Sequence, residues 1–165
     1  MRNIQITLYK FAELSEKAQE KAIEKLSDIN VDYDWWNYTY EEAETVGLSL
    51  TSFDLHNGRH ATGAFILTAP EVAEKILVEH GETCETYKTA KTFLSDLEAL
   101  TGAHENIEDV NEDEVEELEE QFLKDILEDY LILLQKDFEF LQSRDAIVET
   151  IEANEYEFTE DGDLN

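Results

Sequence analysis

Val115, Leu118, Phe122, Ile126, Tyr130, Leu133, Leu134, Phe138 and Leu141 recur every three or four residues, the period of an amphipathic helix. Their spacing predicts one long helix over 112–142. At 100° per residue these apolar positions share one side, while Asp113, Glu116, Glu117, Glu120 and Glu128 fall on the other. Ahead of this helix, Ile4, Ile6 and Leu8 alternate with polar residues and predict a strand over 3–9 with one buried face. Ser15 is the expected cap of a helix over 16–27, with Ala18, Ala22, Ile23 and Leu26 inward. On its outer side Glu16, Glu20 and Glu24 interleave with Lys17, Lys21 and Lys25, which allows i,i+4 pairs.

A helix over 34–46 is expected to end at Gly47. Strands over 48–55 and 61–68 flank Asn57-Gly58, whose positive-φ preference predicts a tight hairpin. Pro70 suits the first turn of a helix over 70–80, with Gly81 as its stop. Another helix is expected over 83–100, then an acidic loop over 103–111. Ser143 caps a helix over 144–153, and a last strand covers 155–159. Runs of each element type, without strict βα alternation, predict an α+β fold: a small antiparallel sheet of about four strands packed with five or six helices. At 165 residues, without an evident linker or repeat, the chain is expected to be one domain over 1–165.

Charge changes this picture. The net charge is −29, yet 42% of residues are hydrophobic, which argues for a folded core and against disorder. The acid is uneven: residues 1–26 hold five bases and four acids, whereas residues 27–165 hold seven bases and 37 acids. Even acidity is the mark of salt adaptation, so halophily fits this distribution poorly. Residues 105–129 contain thirteen acids and a single base, Lys124. Ten acids lie within 112–129, on roughly 27 Å of helix at about 1.5 Å per residue. That is about one negative charge per 2.7 Å, against one per ~1.7 Å of duplex DNA. Such a surface repels nucleic acid and anionic lipid, so neither is an expected partner. The single cysteine, Cys84, offers no internal disulfide and fits a reducing cytosol. No secretory leader or membrane span is expected.

Candidate chemistry is sparse. His56 and His60 flank the hairpin turn, and His80 and Cys84 join two helices; four such ligands would suit zinc if they met. Asp109, Asn111, Asp113 and Glu120 fall on ligand positions of a calcium loop, but Glu114 stands where the sharp turn needs glycine. Neither pattern is specific, and no metal or cofactor is expected. No nucleophile elbow, phosphate-binding loop or dinucleotide fingerprint occurs, and an enzyme is not expected. Tyr33, Trp35, Trp36, Tyr38 and Tyr40 are expected to supply core, with an exposed ring that would suit a protein interface.

The start of the chain, Tyr9-x-Phe11-x-Glu13-Leu14-Ser15-x-x-Ala18-x-x-x-Ala22, and its end, Ile151-Glu152-Ala153-Asn154-Glu155-Tyr156-Glu157-Phe158, resemble a loose family of small acidic phage and prophage proteins. The resemblance covers about a third of the chain. Members mostly lack an assigned activity, and some carry an antitoxin-like label. It implies a mobile-element origin in the cytoplasm of a host bacterium and transfers no catalytic residue.

Together these features point to a phage-type inhibitor that acts as an acidic DNA mimic. Its expected partner is the basic nucleic-acid-binding groove of a host restriction, CRISPR or repair nuclease. The residues expected to meet that groove are Glu112, Asp113, Glu116, Glu117, Glu120 and Glu128, with Glu105, Glu108 and Asp109 on the adjoining loop. Two copies pairing as a homodimer would lengthen the charged surface. The alternatives are an antitoxin-like neutraliser of a basic toxin, or a phage accessory or structural protein. The plainest alternative for the helix itself is a solvated acidic face.

Overall fold

The structure, a computed structural model, describes residues 1–102 and 110–165. The architecture is α+β, and the chain falls into two compact units, Met1–Trp35 with Lys136–Asn165, and Trp36–Gln135.

In the first unit two serines start two helices. The Ser15 hydroxyl accepts the Ala18 N–H and opens α1 (Glu16–Lys25); the Ser143 hydroxyl accepts the Ala146 N–H and opens α6 (Arg144–Ala153). Each satisfies an N–H that the first helical turn would otherwise leave unpaired. Ala18 and Ala22 of α1 and Ile147 and Ile151 of α6 are buried with Phe11, Leu14 and Phe158. Strand β1 (Tyr9–Lys10) pairs antiparallel with β4 (Glu157–Phe158), and the Phe158 ring meets Phe11 edge-on at 6.2 Å.

Two expectations fail in this unit. The strand predicted over 3–9 shrinks to Tyr9–Lys10, and Ile4 and Ile6 are 74% and 61% exposed. A strand needs a partner ladder, and β4 supplies only two residues; Phe158 also bridges Leu164. The lysines of α1 do not rely on the helix's own glutamates. Lys21 and Lys25 both reach Asp163, near the C-terminus, whose carboxyl is held below its ordinary pKa by Lys25 and then Lys21.

The second unit contains α2 (Asn37–Thr45), a hairpin of β2 (Leu48–Asp54) and β3 (His60–Phe65), α3 (Ala69–Glu79), α4 (Glu85–Gly102) and most of α5 (Glu112–Leu141). Helix α5 passes into the first unit at Lys136. Thr68 and Glu71 form a reciprocal capping box at the start of α3, with Pro70 in its first turn. Val46, Leu48, Val72, Ala73, Ile76, Ala90, Phe93, Phe122, Ile126 and Tyr130 form the core. Phe122 stacks with Phe93 at 4.4 Å and with Phe65 at 5.4 Å, joining α5 to α4 and to the hairpin. Burying one such ring contributes roughly 1.5–3 kcal/mol.

Where one antiparallel sheet of about four strands was expected, the strands among the described residues form two two-stranded ladders, β1–β4 and β2–β3. The hairpin also departs from the tight Asn57-Gly58 turn. Its loop runs over 55–59, and of the Asn57-Gly58 pair only Gly58 has a positive φ, of 70°. The Asp54 carboxylate accepts the N–H groups of His56 and Asn57, both at 2.8 Å. This side-chain turn takes the chain out of the ladder earlier than a two-residue turn would. The same two bonds hold the Asp54 carboxyl below its ordinary pKa.

Candidate protein-binding face

Helix α5 sorts its residues by periodicity. Phe122, Ile126 and Tyr130 are at most 2% exposed, while Glu112, Asp113, Glu116, Glu117, Glu120 and Glu128 are all exposed. Glu105, Glu108 and Asp109 lie outside the described residues. At 100° per residue, Asp113, Glu117, Glu120, Lys124 and Glu128 fall within about 80° of one another and form a lengthwise stripe.

The stripe is not uniformly anionic. Lys124 stands within it, and Arg59, from the hairpin loop, pairs with Glu128 at 2.6 Å and donates to Gln135 at 2.8 Å. Arg59 is thus a compensating base, far from Glu128 in sequence. The segment clear of both cations runs from Asp113 to Glu120, about 10 Å along the helix. Glu112 and Glu116 flank it.

Alongside the stripe, α4 and α5 enclose a cleft of about 370 Å³. Phe93, Leu118 and Phe122 supply apolar lining, and Asp96, Asp125, Glu128 and Asp129 supply carboxylates. Asp129 is half-buried and accepts the Thr89 hydroxyl at 2.5 Å; Asp125 accepts the Gln121 amide at 2.8 Å. Burial pushes the Asp129 pKa up, and the nearby charges of Glu85, Asp125 and Glu128 push it the same way. Its position between Ile126 and Tyr130 already put Asp129 on the flank of the apolar face in the sequence.

Within the same unit the Glu42 carboxylate accepts the Tyr130 hydroxyl at 2.8 Å and pairs with His80 Nε2. His80 Nδ1 meets the Thr86 hydroxyl at 2.6 Å. Burial opposes ionisation of Glu42, but the bonds from His80 and Tyr130, with the His80 charge, outweigh it and hold the pKa below the usual range. Burial, followed by the Glu42 charge, drives the Tyr130 hydroxyl in the opposite direction. Carboxylate, imidazole and hydroxyl here resemble parts of a nucleophilic site, but Thr86 is only 3% exposed, so this is a tie between α2, α3, α4 and α5. Nothing in the local sequence of Glu42 pointed to it.

The zinc set does not assemble: His80 is engaged by Glu42 and Thr86, and His60 Nδ1 turns to the Gly58 carbonyl. Among the described residues no group of three or more His, Cys, Asp or Glu is placed to hold a metal. Of the calcium pattern, Asn111 uses its side chain to accept the Asp113 N–H at the start of α5, and Asp109 lies outside the described residues. Trp36 packs against Phe53 at 5.6 Å and Trp35 against Phe138 at 5.6 Å, while Tyr33 and Tyr38 are the exposed rings of the aromatic segment. Among the described residues no helix is long and apolar enough to cross a membrane. The chain matches no model of a known protein family, no curated protein and no solved structure.

Proposed function

We propose that the protein is a phage-type inhibitor that presents α5 as an acidic mimic of a nucleic-acid backbone to a host nucleic-acid-processing enzyme. The observation that carries this reading is that the outer carboxylates Asp113, Glu117 and Glu120 stand on a helix whose opposite face packs on the core through partly buried Leu118 and buried Phe122, Ile126 and Tyr130. They are held in place, unlike those of a solvated tail. Lysines and arginines that line a nuclease groove would meet these carboxylates where they otherwise meet phosphates, and the net charge of −29 would steer the encounter. Glu112 and Glu116 extend the contact sideways. Glu128 takes part only if Arg59 lets it go, and Glu105, Glu108 and Asp109 belong to the same proposed surface by sequence.

The test is a pull-down from bacterial lysate at rising salt, followed by competition with duplex DNA. A nuclease or other DNA-processing enzyme that is released by salt and by DNA supports the reading. A small basic protein that DNA does not displace supports a toxin neutraliser instead. Absence of any basic partner at physiological salt refutes both.

A further inference from the structure

Two dipeptides in the chain set an amide or carboxyl side chain just before a glycine, Asn57-Gly58 and Asp161-Gly162. In each, the glycine nitrogen is a nucleophile next to the preceding side chain, and glycine lacks the Cβ that would hinder its approach. The fold treats the two oppositely. The Gly162 N–H donates to the Thr159 carbonyl at 2.9 Å, and Gly162 is buried against the Ala18 carbonyl. Asn57 and Gly58 are exposed in the 55–59 loop, and nothing lies within 4 Å of where a Gly58 Cβ would stand. The Asn57 N–H is fixed on Asp54, but among the described residues neither the Asn57 side-chain amide nor the Gly58 N–H has a hydrogen-bond partner. Each of the other asparagines before Asn165 is followed by valine or a larger residue, which crowds the same attack.

We infer that Asn57-Gly58 is a site of spontaneous covalent modification, at which the chain converts Asn57 to aspartate and isoaspartate. The deprotonated Gly58 nitrogen attacks Asn57 Cγ, the new C–N bond closes a cyclic imide, and the side-chain nitrogen leaves as ammonia. Water then adds to either imide carbonyl and breaks one of the two ring C–N bonds. Breaking the bond from the Gly58 nitrogen to Cγ leaves aspartate. Breaking the bond to the former backbone carbonyl leaves isoaspartate, with the main chain running through the side chain. Water is the only co-reactant, and this lability is one reason asparagine is depleted in heat-stable proteins. Ring closure needs local backbone freedom, which exposed loops have at little cost and packed, hydrogen-bonded segments do not. The product adds a negative charge to the loop that supplies Arg59, the cation over Glu128, so an aged chain is more acidic than the original −29. This chemistry does not depend on what the stripe binds.

The full chain is incubated in heavy-oxygen water at physiological temperature and slightly alkaline pH, both native and unfolded in urea. Peptide maps then read the amide-to-acid mass change, the solvent oxygen taken up and, with an isoaspartyl methyltransferase, the isoaspartate formed. Asn57 is expected to convert ahead of every other asparagine, with native and unfolded rates within about tenfold of each other, as for a loop that opens at almost no cost. Asp161 forms the same imide with loss of water; it is expected to isomerise in urea and to be protected by more than about tenfold in the native chain. Gly58→Ala, checked for native circular dichroism, is expected to slow Asn57 by more than about tenfold, because its methyl group obstructs the attacking nitrogen. An Asn57 that converts in urea but stays intact in the native chain overturns the site. So does conversion no faster than at the other asparagines, or native protection equal to that of Asp161. An unchanged rate in a folded Gly58→Ala chain overturns it as well; if that variant does not fold, the native-to-urea comparison of the unaltered chain decides.

Discussion

Tyr130 of α5 donates its hydroxyl to Glu42 of α2 at 2.8 Å, at a ring that is 0% exposed. Because His80 shares the same carboxylate, one acid ties the centre of the long helix to two other helices. Removing either partner of a buried charged hydrogen bond leaves the other desolvated and unpaired.

Tyr130→Phe is therefore expected to lower stability by roughly 1–3 kcal/mol, the usual cost of a lost hydrogen bond to a charged group. Glu42→Ala, which strips an acceptor from both Tyr130 and His80, is expected to cost more. Urea unfolding measures both; a neutral Tyr130→Phe would show that the bond contributes nothing net.

Glu42 also gives a pH signature. Its folded pKa lies below the ordinary value of 4.5, so its contribution is whole above about pH 4.5 and is lost as pH falls through the lower folded value. The stability difference between the native chain and Glu42→Gln should shrink over that acid window. A difference that does not vary with pH would contradict the assignment.

Asp129 carries the opposite sign. Its folded pKa is above 3.8, so the stability it contributes is whole below about pH 3.8 and is lost as pH rises through the folded value. At neutral pH the ionised carboxylate costs stability. Asp129→Asn keeps an acceptor for Thr89 and should raise the thermal midpoint at pH 7, with the gain vanishing in acid. Equal midpoints at pH 7 would refute it.

Two glycines with positive φ should respond unequally to alanine. At Gly162 (φ 89°) an added Cβ would lie 2.3 Å from the Ala18 carbonyl oxygen, whereas at Gly58 (φ 70°) it meets open space. Gly58→Ala should cost about 1–2 kcal/mol, the ordinary left-handed penalty. Gly162→Ala should cost clearly more, since backbone must move as well. Equal losses in denaturant midpoint would show that the C-terminal loop yields freely.

Arg59→Ala removes the cation over Glu128. The pair is solvent-exposed, so the stability cost should stay within about 1 kcal/mol. Association with polyarginine should become faster and more salt-dependent as the stripe gains a carboxylate. An unchanged rate would place Glu128 outside the binding surface.

Local chemistry was legible in the chain before folding was considered. The three-to-four-residue spacing set α5 almost to its observed ends, Ser15 and Ser143 announced α1 and α6, and Pro70 marked α3, because caps and periodicity act within a few residues. Alternation at Ile4, Ile6 and Leu8 misled, because a strand exists only where another backbone pairs with it, and that partner is not encoded nearby. The acid count of the outer stripe was likewise plain from the sequence. Tertiary structure alone decided which acids stay available: it brought Arg59 to Glu128, Tyr130 and His80 to Glu42, and Thr89 to Asp129. Those pairings join residues 38 to 88 positions apart, a separation over which a single sequence carries no periodic signal.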